Sequence, residues 1–228
     1  MGNRFLRNKD LIPQHKLNKI QVIGLGGIGS ALVHSLAIMG WKKIHLWDDD
    51  KLKEHNLSCS MYQENSLGMF KVAAAADLIR NYNKESLAVT HPYRFVTGNA
   101  AMPITAVCTD DMESRMVVYD AWRMLGDSRR IFLDMRMGAT VIEVIIATKE
   151  DDHWVGTWQP SRAIPDEPCT MKHTIFAGSL SANLGTAQLF NALVNNGFWS
   201  YIKLTCNPMQ LVTKEFVKPK RKKEVHGN

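Results

Sequence analysis

The chain has 228 residues, 45% hydrophobic and 22% charged, with a formal net charge of +6 at pH 7. Those proportions are those of globular domains and exclude collagen-like, coiled-coil and largely disordered chains. No apolar run approaches the roughly 18–20 residues a membrane span needs, and Met1–Lys9 is polar with no secretory core, so a cytoplasmic protein without a membrane segment is expected.

The elements then follow in chain order. Lys19–Leu25 reads as a strand ending in glycines, and Ser30–Met39 as a helix capped by Gly40. Lys43–Trp47 alternates as a strand and runs into three aspartates. Ser66–Tyr82 is an alanine-rich helix with Ser66 at its N-cap; Ala88–Tyr93 and Ile104–Cys108 are short strands. Glu113–Leu125 is an amphipathic helix closed by Gly126, and Ile131–Met135 a further strand. This alternation predicts an α/β, Rossmann-like fold with a largely parallel sheet and helices on both faces. Near Gly138 the pattern changes to antiparallel strands. Thr140–Thr148 and His153–Trp158 read as a hairpin around Lys149–Asp152, Ser161–Lys172 as a proline-rich loop, and Phe176–Asn195 as a long helix stopped by Gly197. Tyr201–Thr205 and Leu211–Lys214 close the sheet as a strand pair. Residues 1–215 are expected to form a single domain and 216–228 a basic, disordered tail. From Lys218 onward five basic residues stand against one acidic, which leaves the body nearly balanced and gives no strong nucleic-acid signal.

The four cysteines, Cys59, Cys108, Cys169 and Cys206, include no C-x-x-C pair, so no structural zinc is expected. Cys108, inside a predicted strand, reads as core.

Gly24-Leu25-Gly26-Gly27-Ile28-Gly29 contains G-x-G-x-x-G between a strand and a helix. In that context the first glycine allows the tight turn, the second lets the backbone approach a phosphate, and the third packs helix on strand. The helix start offers unpaired N–H groups and a favourable dipole to an anion. Asp48 lies 19 residues after Gly29, at the end of the next strand, where a carboxylate accepts ribose hydroxyls. These features predict a nucleotide site without choosing between NAD, ATP and S-adenosylmethionine.

Further motifs narrow the choice. Arg4-Phe5-Leu6-Arg7-Asn8, Gly24–Ser30, Trp47-Asp48-Asp49-Asp50, His55-Asn56-Leu57, Gly68-Met69-Phe70-Lys71 and Val107-Cys108-Thr109-Asp110-Asp111, followed by Arg115, occur in one order. Together they resemble the ThiF/MoeB adenylyltransferases, which include the ubiquitin-activating enzymes. The likeness covers residues 4–125 well, and 132–138 and 168–194 more loosely. It implies that Gly24, Gly26, Gly27 and Gly29 line the phosphates of ATP, that Asp48 holds the ribose, and that Asp50, Asn56 and Lys71 contact ribose and phosphates. Asp110 would hold Mg2+, and Arg7 would reach the γ-phosphate from the neighbouring subunit of a homodimer. Apolar Met112, Met116, Trp122 and Met124 near the site add to the expectation of a dimer. By itself the Asp110-x-x-Glu113 spacing also reads as a helix cap.

The resemblance implies ATP-dependent activation of a carboxylate as an acyl-adenylate, with release of pyrophosphate. That carboxylate is the C-terminus of a ubiquitin-like protein or peptide, or a small metabolite or modified-nucleoside carboxyl. Cys169, before the last long helix and beside Lys172 and His173, resembles the nucleophile position of compact relatives and is the tentative acyl-accepting thiol. One departure stands out: Cys59 and Ser60 occupy positions where the family carries arginine and glutamine. A thiol supplies no charged bidentate donor, so Arg94, Arg115, Arg136 or a partner residue must compensate, or the protein is a weak or inactive binding relative. An NAD-dependent oxidoreductase would explain the glycines and Asp48 but not Asn56, Lys71 and Asp110.

Overall fold

The computed structural model describes residues 3–8, 10–163 and 173–219. Eight strands form one mixed sheet of order β3-β2-β1-β4-β5-β6-β7-β8. Its first half comprises β1 (Lys19–Ile23), β2 (Lys43–Trp47), β3 (Leu87–His91), β4 (Ile104–Val107) and β5 (Ile131–Gly138), all parallel. The second half, β6 (Val141–Thr148), β7 (Phe198–Cys206) and β8 (Met209–Val217), is antiparallel and starts with a tight reversal at Ala139–Thr140. The Rossmann-like α/β sheet and the switch near Gly138 are as the sequence predicts.

Among the described residues its helices are α1 (Gly27–Met39), the short α2 (Glu54–Leu57), α3 (Lys71–Tyr82), α4 (Met112–Arg123) and α5 (Ile175–Val194). Strand periodicity sends alternate residues to opposite faces. Ile20, Val22, Leu133 and Met135 join the core under α1, α3 and α5, whereas Ile23, Val107 and Phe132 join a second core with Val118 and Trp122 of α4. α1 is buried along most of its length and ends at Gly40, whose φ of +99° makes the expected left-handed cap. Gly178 lets α5 reach the start of α1, since a Cβ there would stand 3.1 Å from Gly27.

Three local readings are corrected. His153–Trp158 is no strand; β6 pairs instead with β7, and Trp154–Thr157 is a 3-10 turn. Trp154 is drawn inward: its ring is fully buried, stacks on Tyr119 at 4.2 Å, and donates its indole N–H to Asp134 at 2.7 Å. The alanine-rich helix starts at Lys71 rather than Ser66, because Gly68 takes φ +81° and breaks the segment after a 3-10 turn at Glu64–Ser66. The final strands are each nine residues long, and β8 runs to Val217, two residues into the stretch read as tail. Among the described residues no helix is long and apolar enough to cross a membrane.

Candidate functional site

β1 pairs with β2 on one side and β4 on the other, so the chain reverses its order around the carboxyl end of β1, where open α/β sheets form a crevice. The glycine turn lies there, at the head of a cavity of about 2430 Å³. Gly24 has φ +85°, and a Cβ on it would stand 2.8 Å from the backbone of Cys108 and Thr109. A Cβ on Gly29 would strike the Gly24 carbonyl, so this glycine packs α1 onto the strand end and does not line the cavity. Gly26 differs: a Cβ there would meet nothing within 4 Å. It lines the cavity and caps α1 without any side-chain bond, leaving first-turn N–H groups for an anion.

Asp48 follows β2 and is fixed by two backbone donors, Leu25 N–H at 2.7 Å and Asp50 N–H at 2.9 Å. Lys71, at the start of α3, reaches both carboxylates, 3.8 Å from Asp48 and 2.6 Å from Asp50. Burial pushes the Asp48 carboxyl up, with Lys71 and the two N–H groups opposing. The hydrogen bond from Lys71 holds the Asp50 carboxyl down. Asp48, Asp49 and Asp50 are close enough to share a cation, but Lys71 already sits among them, so the cluster is arranged around an ammonium rather than a metal ion. Asn56 lines the cavity with its side-chain oxygen accepting from Lys53 N–H at 2.9 Å.

The cap that the spacing to Glu113 assigned to Asp110 falls to its neighbour. Asp111 is the cap of α4, its carboxylate accepting from Ser114 N–H at 2.6 Å. Asp110 is exposed at the cavity wall and takes no part in capping. Arg115 is buried and bonded to Asp134, to the Thr109 carbonyl, and to the Met135 carbonyl at 3.1 Å. Arg136 meets the same Asp134 with two donors, at 2.9 and 2.7 Å, and donates to the Thr157 carbonyl at 2.9 Å. Burial raises the Asp134 carboxyl, but the two guanidiniums outweigh it and hold it below the ordinary range. Both arginines are therefore committed. Arg94 is held more loosely: it is exposed, 3.8 Å from Asp49 and close enough to Asp50 to help hold that carboxyl down.

Cys59 lines the cavity, and burial pushes its thiol up. Its carbonyl would be 2.7 Å from a Cβ on Gly27. Cys108, read as a core strand residue, instead follows the end of β4, half-buried at the cavity wall and packed against the first core, and burial pushes its thiol up to about 12. Arg7 is exposed on the N-terminal segment, outside the cavity. The neighbouring Phe5 packs against Gly40, at the end of α1 remote from the glycine turn; thirteen helical residues separate the two ends by about 20 Å. Of the apolar residues behind the dimer expectation, Met112 and Trp122 are buried and Met116 packs on the second core, which leaves Met124 exposed. Cys169 lies outside the described residues.

The opposite wall of the cavity escaped the sequence reading. Glu143, Tyr201, Lys203 and Lys214 rise from β6, β7 and β8 on the face away from α5. Glu143 accepts from Tyr201 at 2.7 Å and stands 3.8 Å from Arg136 and 3.7 Å from Lys203. The alternation of β7 was the available signal.

Residues 7–128 match the ThiF family model. The ubiquitin-like modifier-activating enzyme 5 of Gallus gallus is 30% identical over 124 residues, 47% of this chain and 31% of that protein. The Caenorhabditis elegans enzyme of the same name is 28% identical over 115 residues, 43% and 27% of the two chains. The alignments thus span under a third of these curated relatives. Among solved structures, E. coli MccB with ATP superposes with a TM-score of 0.73 at 15% identity, covering 96% of this chain and 73% of MccB. PaaA superposes with a TM-score of 0.70 at 17% identity, covering 90% and 66%.

Proposed function

The chain belongs to the ThiF family, and from that premise we propose that it is an ATP-dependent adenylyltransferase that activates a carboxylate as an acyl-adenylate. The observation that carries this reading is the convergence on one cavity of the open Gly26 turn, the Asp48–Lys71–Asp50 cluster and the uncapped Asp110. A dinucleotide site needs the turn and Asp48 but neither a buried lysine between two aspartates nor a further carboxylate, Asp110, at the cavity wall. The residues also fit the ligand. Gly26 and the start of α1 leave room and N–H donors for phosphates, and Asp48, fixed by two backbone bonds, offers its remaining lone pairs to a sugar.

In the proposed reaction the substrate carboxylate attacks the α-phosphorus, the bond to the bridging oxygen breaks, and pyrophosphate leaves. Such displacements are catalysed by positioning and charge stabilisation. Lys71 and the α1 N–H groups would offset charge on the phosphates. Asp110 would hold Mg2+, a hard cation that takes carboxylate and phosphate oxygens and would neutralise the departing pyrophosphate. Arg7 would act from a second copy of the chain, since within one chain it stands far from the turn.

The relatives support a protein or peptide C-terminus as that carboxylate: one is named an activating enzyme of a ubiquitin-like modifier, and E. coli MccB was solved with MccA. The polar wall of Glu143, Tyr201, Lys203 and Lys214, carried on three adjacent strands, would receive an extended C-terminal segment, and a small carboxylate would need only part of it. Cys169 is proposed as the thiol that takes the acyl group. The test is incubation with ATP, Mg2+ and a mixture of small proteins and metabolites, with mass spectrometry for acyl-AMP and for a thiol-labile adduct. Acyl-AMP without an adduct would reduce Cys169 to a structural residue. Neither product from any carboxylate would favour a second reading, a binding relative without activity, for which Cys59 in place of the family's arginine speaks.

A further inference from the structure

β3 is an outer edge of the sheet and pairs only with β2. In their register Trp47 stands opposite His91 and His45 opposite Val89, so His45 and His91 are diagonal neighbours on one face. Both are half-buried. Their rings meet, with His45 Nδ1 3.2 Å from His91 Nε2 and the two planes 16° apart.

Neighbours fix this arrangement. Trp47 stacks on the face of His91 at 4.1 Å, and Phe95 backs Trp47 at 5.0 Å. The other nitrogen of His91, Nδ1, lies 3.2 Å from the Tyr93 hydroxyl. The tautomer that donates Nδ1–H to Tyr93 leaves the Nε2 lone pair facing His45. A metal-ligating histidine is held in the same way, by an outer partner on its second nitrogen.

The separation suits one shared ion. Two nitrogens, each roughly 2.0–2.1 Å from a tetrahedral ion, stand about 3.3 Å apart. For both to ligate, His45 carries its proton on Nε2, and both rings stay neutral. Imidazole nitrogen suits zinc, copper and nickel, whereas magnesium and calcium take oxygen. Lys43 stands two residues before His45, with Lys19 opposite it on the same face. These lysines disfavour a cation held by charge alone, which leaves one held by coordinate bonds. The site uses no thiolate, so the cysteine spacing does not bear on it.

We propose that His45 and His91 bind a divalent ion of the zinc, copper or nickel type, with water in its remaining positions, and that the ion clips edge strand β3 to β2. Neither histidine lines the nucleotide cavity, so the proposal stands apart from the ATP reading.

Calorimetric titration of the full chain with Zn2+ tests it. His45→Ala and His91→Ala should each weaken binding at least 10-fold, and Tyr93→Phe, which removes only the outer partner, about 10-fold. The wild type should melt higher with Zn2+, and the histidine variants should lose that rise. Electron paramagnetic resonance of the Cu2+-loaded wild type reads the ligands without relying on how a variant folds. It should show coupling to two imidazole nitrogens, which His91→Ala abolishes. Unchanged Zn2+ affinity in both histidine variants would overturn the proposal, as would a wild-type Cu2+ spectrum without two-nitrogen coupling.

Discussion

At the scale of single residues, two adjacent aspartates part company. Asp110→Ala should lower adenylate formation by on the order of 10²–10³, as for loss of one electrostatic contact to a transition state, with an unchanged melting temperature. Asp111→Ala should do the reverse. It removes the cap of α4, costs about 1 kcal/mol, and leaves pyrophosphate exchange in place. Thermal melting and exchange assays on the pair check both. The sequence placed a carboxylate here but assigned the cap to the first aspartate, because the spacing to Glu113 mimics a capping box; the φ and ψ of Asp111 decide otherwise. Asp134 was not legible as anything but strand. Its role arises from Arg115, 19 residues upstream, and Trp154, 20 downstream, which only the fold brings together. Asp134→Asn leaves the buried Arg115 guanidinium without its anion and the half-buried Arg136 with Glu143 alone, and should cost about 3–5 kcal/mol in urea unfolding at neutral pH. The folded carboxyl titrates below its unfolded value of about 3.9. The stabilisation is therefore complete above that unfolded value and is lost as pH falls through the folded one. The wild type should weaken on acidification below about pH 4, and the asparagine variant should show a shallower acid decline.

At the scale of elements, the glycine turn makes a sharper test than its motif. Gly29→Ala forces a Cβ into the Gly24 carbonyl and should destabilise the protein, whereas Gly26→Ala adds a methyl to open space. The latter should stay within about 0.5 kcal/mol of wild type in unfolding, as an unobstructed surface change does, and yet weaken ATP binding by crowding the phosphates. The parallel half of the sheet was readable because each strand is apolar and bounded by turn residues. The second half was harder. His153–Trp158 alternates like a strand, but Trp154 gains more from burial against Tyr119 and a bond to Asp134 than from an edge pairing. Strands β7 and β8 exceed the segments read from sequence because the pairs Phe198–Val217, Trp199–Phe216, Thr205–Gln210 and Cys206–Met209 continue the ladder at both ends, with Lys203 and Lys214 on an open face. That face was illegible from composition, since charged residues on it read as ordinary solvated surface.

At the scale of the whole molecule, the proposed site needs a second copy of the chain. Arg7 lies outside the cavity of its own chain, so the complete site is predicted in a homodimer, the commonest closed assembly. Sedimentation should show a species of twice 25.8 kDa at micromolar concentration, and a lone 25.8 kDa species would remove Arg7 from the site. The buried Met112 and Trp122 give the dimer no support, since the chain's own core uses them. The central claim, that the cavity is built for ATP, is tested most directly by thermal unfolding with ATP–Mg2+ and, separately, with NAD. At a ligand concentration 100 times the dissociation constant, ATP–Mg2+ should add about 2.7 kcal/mol of stability, and NAD should add none. Stabilisation by NAD, with ATP–Mg2+ inert, would contradict the account.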